Sequence, residues 1–132
     1  MRRTRTLALA AADQGYVAAP PARVFELLGD PATYSRWWPG VRSDGPGRLE
    51  VPALGALEVV VDGVRADVGL YCRFRARRVE GHLEWYLEPF REGTVVYCIT
   101  NIWTDRRWSE RRSIRLRSAI RSAMVALKGI LE

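Results

Sequence analysis

The sequence predicts an α+β fold in which a curved antiparallel sheet wraps around one long C-terminal helix, with two short helices after the first strand. Three observations lead there. Over residues 41–103 apolar side chains recur with period two, interrupted by Pro, Gly and Asp-Gly turn signals. From Arg107 onward the period becomes helical, because Leu116, Ile120, Ala123, Leu127 and Ile130 follow a 4-3-4-3 spacing. Between an opening strand and the sheet stand two short segments that each begin with proline, the residue favoured in the first helical turn.

Taken in order, residues 5–19 alternate and end at Pro20-Pro21, which predicts the first strand. "PPARVFELLGD" places Val24, Leu27 and Leu28 on one helical face, with Gly29 as the stop. Asp30-Pro31 restarts a second helix, Asp as N-cap and Pro at the first position. Tyr34 then shares a face with Trp37 and Trp38, three and four residues on, and Pro39-Gly40 ends the element. "RLEV" and "ALEVVV" read as short strands, and Asp62-Gly63 as a hairpin turn. In "ADVGLYCRFRARRV", Leu70, Cys72, Phe74 and Ala76 face one way, and Tyr71, Arg73, Arg75 and Arg77 the other. Glu80-Gly81 reads as the next turn, followed by Leu83, Trp85 and Leu87 on one face of a strand, with Glu84 and Glu88 facing out. Glu92-Gly93 turns the chain into "TVVYCITNIW", which is apolar on both faces, so alternation does not set its facing. A sheet needs its inner face covered, and the C-terminal helix, roughly 23 residues and about 35 Å long, is the element with the reach.

The composition is that of one ordinary globular domain spanning residues 1–132, with 48% apolar and 27% charged residues. Two cysteines do not make a disulfide scaffold, and a single histidine, His82, without a close Cys pair argues against zinc; no metal or cofactor is expected. Cys72 and Cys98 fall on strands separated by one other, about 9–10 Å apart, so both are expected to be free thiols. The N-terminal apolar run of residues 7–12 is shorter than a secretory core, and no run approaches a membrane span, which reads as a cytoplasmic chain. The net charge of +6 has a single source: residues 1–105 carry 13 basic and 13 acidic groups, whereas residues 106–132 carry eight basic and two acidic ones. Such a helix suits a solvated face, an anionic membrane surface or an acidic partner; nucleic acid fits less well, since the stripe beneath the arginines is apolar and no nucleic-acid motif is present.

"VAAPPARVFELLGDPATYSRWWPGV" resembles the opening of the START-like, or SRPBCC, superfamily (Bet v 1-like), in its polyketide cyclase/dehydrase branch. The shared pattern is a strand ending in Ala-Pro, a helix of the form V-F-x-L-L-x-D, then Y-x-x-W-x-P. "EWYLEPFREGTVVYC" is similar to the late hairpin of that family. The resemblance implies a helix-grip fold with a deep apolar cavity between sheet and C-terminal helix. It puts Trp37 and Tyr34 in the cavity wall or the core beneath it, and Trp38 at a variable position near the mouth. Fold does not fix function. The first reading is binding of a small hydrophobic ligand, lipid-like, polyketide-like or isoprenoid, in a cavity of roughly 300–1,000 Å³. Trp37, Trp38, Phe74, Leu83, Trp85, Leu87, Ile120 and Met124 would line it, and the Tyr34 hydroxyl would orient the ligand. The alternative is an aromatic polyketide cyclase or dehydratase acting in the same cavity, through the kind of cavity Arg or Tyr such cyclases use. A third reading is an interaction module working through the basic helix. The residues named for the inner sheet face are apolar and offer little acid-base chemistry.

Overall fold

A computed structural model describes residues 5–105 and 107–132. The strands are β1 (Thr6–Val17), β2 (Arg42–Ser43), β3 (Arg48–Val51), β4 (Gly55–Arg65), β5 (Gly69–Arg75), β6 (Val79–Phe90) and β7 (Gly93–Thr104). Helix α1 (Pro21–Leu28), a single 3-10 turn (Pro31–Thr33) and α2 (Tyr34–Trp37) follow β1, and α3 (Glu110–Leu131) closes the chain. Every strand pair is antiparallel, in the order β1-β7-β6-β5-β4-β3-β2, so the first strand lies against the last. This is the expected helix-grip: a curled seven-stranded sheet with α3 across its inner face.

The period-two pattern decides what is inside. Leu70, Cys72 and Phe74 of β5 are buried, as are Trp85 and Leu87 of β6. On β7 the ambiguity is resolved in favour of Val96, Cys98, Thr100 and Ile102, leaving Val95, Tyr97, Ile99 and Trp103 on the outer face. The buried Thr94 hydroxyl donates to the Ala19 carbonyl at 2.7 Å, and Thr104 donates to that of Arg78 at 3.0 Å, so neither is an orphan. From α3, Leu116, Ala119, Ile120, Ala123, Met124 and Leu127 enter the core. Burying an aliphatic side chain of this size is worth roughly 1.5–3 kcal/mol, so this stripe holds the helix in place. Polar ties fix its register. Arg117 pairs with Asp13 at 3.1 Å, Lys128 donates to the Tyr16 carbonyl at 2.8 Å, and the Glu132 carboxylate accepts from the Ala18 N–H at 2.9 Å.

Four sequence expectations are corrected. Asp62-Gly63 is not a hairpin turn; a bulge between Val61 and Gly63 absorbs it within β4, and the chain reverses at residues 66–68 with Asp67 at φ 63°. Glu80-Gly81 is not a turn either. Gly81 is buried in β6 because the Asn101 carbonyl and the Phe74 ring occupy the space a side chain would need. His82 accordingly leaves the turn for the outer sheet face, between the rings of Tyr71 and Trp103. Ile130, expected in the buried stripe, is half-exposed in the last turn of α3.

The fourth correction concerns the tryptophans. Helix α2 is a single turn, and at Trp38 the backbone switches to extended geometry (φ −86°, ψ 113°), which swings that indole inward. Trp38 is 5% exposed and lies 5.7 Å edge-on to Trp85, while its Nε1 donates to the Ala119 carbonyl of α3 at 2.9 Å. Trp37 is half-buried, stacks on Trp38 at 5.8 Å and donates to the Leu27 carbonyl at 3.2 Å. Trp38, not Trp37, is the anchored one.

Two outcomes follow from this packing. Trp38→Ala is expected to destabilise the protein by about 3–5 kcal/mol and Trp37→Ala by clearly less; urea unfolding of both variants measures the difference, and equal losses would contradict the assignment. Cys72 and Cys98 are free and buried, and burial pushes the Cys72 thiol up to about 12 and Cys98 higher still. Both thiols should resist iodoacetamide at mildly alkaline pH in the native protein and react as two equivalents once it is unfolded; rapid native labelling would show that the inner sheet face is open.

Candidate functional site

Between the sheet and α3 lies an apolar void of about 50 Å³. Its floor is the inner face of the sheet: Leu57 and Val59 of β4, Cys72 and Phe74 of β5, Leu83 of β6 and Thr100 of β7. Leu116 and Ile120 of α3 form the roof, and Tyr34, Trp38 and Val41 close one end. Leu49, Val51 and Leu54, from β3 and the turn after it, make the remaining side. The void holds a few waters at most, so in this closed form it is well short of the ligand-sized cavity expected from the sequence.

Of the residues singled out in the sequence, Tyr34, Trp38, Phe74, Leu83 and Ile120 line the void. Trp37, Trp85, Leu87 and Met124 do not reach it and pack in the surrounding core. Met124 turns toward β1, where its Sδ lies 3.5 Å from the position a Cβ on Gly15 would take. Sequence reasoning did not place Val41, Leu49, Val51, Leu54, Leu57, Val59, Cys72, Thr100 and Leu116 at the cavity, although the alternation in "RLEV" and "ALEVV" already pairs Leu49 with Val51 and Leu57 with Val59.

The lining contains no charged side chain. The polar groups its residues carry are the Tyr34 hydroxyl, the Trp38 indole N–H, the Cys72 thiol and the Thr100 hydroxyl. The Tyr34 hydroxyl is not free to orient a ligand, because it donates to the Leu28 carbonyl at 2.5 Å and thereby ties α2 to the end of α1. Burial pushes its pKa well above the ordinary phenol value; the Cys72 and Cys98 thiols add to this, and the nearby Trp85 indole works weakly the other way. Trp85 Nε1 itself is buried without a well-formed hydrogen bond. Thr100 Oγ1 is buried, with the Cys98 sulfur 3.8 Å away.

Two parts of the lining are not regular structure, the 38–41 segment and the 51–54 turn. The 51–54 turn carries Ala53 at φ 70°, a left-handed conformation that strains a residue with a Cβ. Its carbonyl accepts from Nε and Nη2 of Arg112 at 3.1 and 2.9 Å. The Arg112 guanidinium lies 4.3 Å over the Trp108 ring, whose Nε1 donates to Ser113 Oγ at 2.5 Å. A single side chain near the start of α3 therefore clamps this turn.

A larger open groove, about 1140 Å³, lies on the outer sheet face around Arg73, Arg75, His82 and Trp103. Its guanidiniums are matched: Arg5 with Glu80 at 2.7 Å, Arg73 with Asp62 at 2.7 Å, Arg75 with Glu58 at 3.2 Å. Exposed pairs of this kind contribute little, and they leave no net charge to recruit a ligand. Among the described residues, no group of three His, Cys, Asp or Glu side chains is placed to hold a metal ion, and no helix is long and apolar enough to cross a membrane.

Solved structures share this architecture. The Mll3558 protein from Rhizobium loti superposes with a TM-score of 0.72 at 16% identity, over 97% of this chain and 99% of its own. The Zhui aromatase/cyclase from Streptomyces gives 0.66 at 18% identity, over 92% of each chain. A START superfamily protein from Mycobacterium smegmatis gives 0.70 at 13%, over 92% of this chain and 96% of its own. At these identities the likeness shows the fold. No curated protein matches the sequence. The family model described as polyketide cyclase / dehydrase and lipid transport matches residues 12–128, and the chain belongs to that family.

Proposed function

We propose that this protein is a cytoplasmic carrier that binds a small hydrophobic molecule, lipid-like, polyketide-like or isoprenoid, between sheet and α3. The observation that carries the reading is a void lined by apolar side chains and free of any charge. A cyclase acting on a poly-β-ketone would need a group in the cavity to hold and enolise its substrate. No arginine lines the void, and the one tyrosine hydroxyl is already bonded to a backbone carbonyl. The carrier therefore ranks above the cyclase or dehydratase of the same family. Two buried unpaired thiols fit a reducing compartment.

A void of about 50 Å³ must enlarge to admit a ligand, and the 51–54 turn is the wall that can yield. Most of the rest is paired strand or the buried stripe of α3, and the end closed by Tyr34, Trp38 and Val41 is held by the Tyr34 and Trp38 hydrogen bonds to the Leu28 and Ala119 carbonyls. Removing the two charge-assisted bonds of Arg112 withdraws about 1.5–3 kcal/mol from the closed turn, which shifts its closed-to-open equilibrium constant about tenfold to hundredfold. Discharge of the ligand would take place at a surface that the basic α3 can reach.

The test uses the neutral fluorescent probe N-phenyl-1-naphthylamine. Wild type should bind it saturably at one site, and Ile120→Trp, which fills the void, should abolish binding. Arg112→Ala should speed association severalfold, because the open fraction rises toward its limit. No saturable binding by wild type, or binding untouched by Ile120→Trp, would refute the carrier. An unchanged rate in Arg112→Ala would place the entrance elsewhere.

A further inference from the structure

The face of α3 turned away from the sheet is uncovered, unneutralised and partly apolar. Arg112, Arg117 and Lys128 are committed to Ala53, Asp13 and Tyr16. Arg107, Arg111, Arg115 and Arg121 have no ion-pair or hydrogen-bond partner among the described residues, and all four are exposed. Among them stand Ile114 at 63% and Val125 at 69% exposure, the two most exposed large apolar side chains of the described residues. At 3.6 residues per turn, Ile114, Ser118, Arg121 and Val125 fall within about 60° of one another, with Arg111 and Arg115 beside them and some 16 Å between the two aliphatics. The acidic groups nearby are few: Glu110 in the first turn, and Glu132, which is already held by Lys128 and the Ala18 N–H.

A helix whose outer face served only solubility would place polar groups at positions 114 and 125. A helix contacting nucleic acid phosphates would need only the cations, and this face offers no aromatic ring for a base. Cations flanking two protruding aliphatics match a surface that is charged outside and apolar just beneath, which is how interfacial helices meet lipid. We infer that this face of α3 docks on an anionic bilayer surface. Arg111, Arg115 and Arg121 pair with headgroup phosphates, and Ile114 and Val125 enter the headgroup region. The inference rests on the carrier reading for its purpose, since docking would bring the protein that carries the ligand to a membrane.

The experiment is co-flotation of the full chain with phosphatidylcholine vesicles with and without phosphatidylglycerol, at low and physiological salt. Wild type should float only with the anionic vesicles, with a salt-sensitive part and a part that persists at physiological salt. Arg111→Glu/Arg115→Glu/Arg121→Glu should weaken binding by at least about a hundredfold. Ile114→Ser/Val125→Ser should keep low-salt binding and lose the persistent part. Both variants change exposed positions, and unchanged circular dichroism melting confirms that they fold. Failure of wild type to float at low salt, equal binding to uncharged vesicles, or an unaffected serine variant would each overturn the proposal. So would binding to duplex DNA that anionic vesicles do not compete away. N-phenyl-1-naphthylamine binding, measured without vesicles, separates the two readings. Probe binding without flotation sinks docking alone, and flotation without probe binding sinks the carrier and leaves docking standing.

Discussion

The indole of Trp38 is where the layers of this molecule meet, and its one N–H is the constraint the rest accommodates. A buried indole donor left unpaired costs about 1–3 kcal/mol. The Ala119 carbonyl satisfies it, although within a helix that oxygen already serves the backbone, and it does so only if α3 lies at one height and one rotation over the sheet. The ring face must also sit edge-on to Trp85 and against Tyr34, which ties the same indole to β6 and to the start of α2. Helix, sheet and the short helices are thus fixed by a single side chain, and the Tyr34 hydroxyl extends the chain of contacts back to the end of α1.

Once α3 is fixed, its distance from each part of the sheet follows from side-chain size. Along β1 the inward positions Ala11 and Gly15 are small, so α3 approaches closely and Met124 fills the gap over Gly15. No room remains there. Toward β4 the inward residues are Leu57 and Val59, the helix offers Leu116 and Ile120, and the layers part enough to leave the void. The same direction is where pairing thins: β1, β6 and β7 have 12 residues each, β3 has four and β2 two. Fewer ladder bonds make that end the more deformable one.

The fold was legible because its signals are local and redundant. Period two, period 3.6 and the proline starts each point to one element, and their order leaves α3 as the one candidate to cover the sheet. Turn positions were less legible, because Gly has two uses. Gly63 and Gly81 read as turns but serve a bulge and a close crossing with Phe74, and only the neighbouring strand reveals which. The candidate site was half legible. Phe74, Leu83 and Ile120 follow from alternation and stripe, whereas the roles of Trp37 and Trp38 depended on one backbone torsion at the end of α2. Arg112 could not be picked out from seven arginines by pattern, since its partner is a backbone carbonyl 59 residues away.

That contact also bears on how a void of this size could serve a carrier. Arg112 gives the closed turn about 1.5–3 kcal/mol through charge-assisted bonds to Ala53. The left-handed backbone at Ala53 takes back about 1–2 kcal/mol. The remainder is about 1 kcal/mol, to which the half-buried Val51 and Leu54 add a partial hydrophobic term. A balance this close favours the closed form without locking it, so a ligand that buries its own apolar surface against Leu57, Phe74 and Ile120 would supply enough free energy to hold the turn open. A cavity that is nearly shut when empty exposes little apolar surface to water, and so avoids the aggregation risk of a standing greasy cleft. On the proposed carrier function, the small void and a ligand-filled cavity would be two ends of one equilibrium, with its position set by Arg112 and Ala53 rather than by the rigid strands.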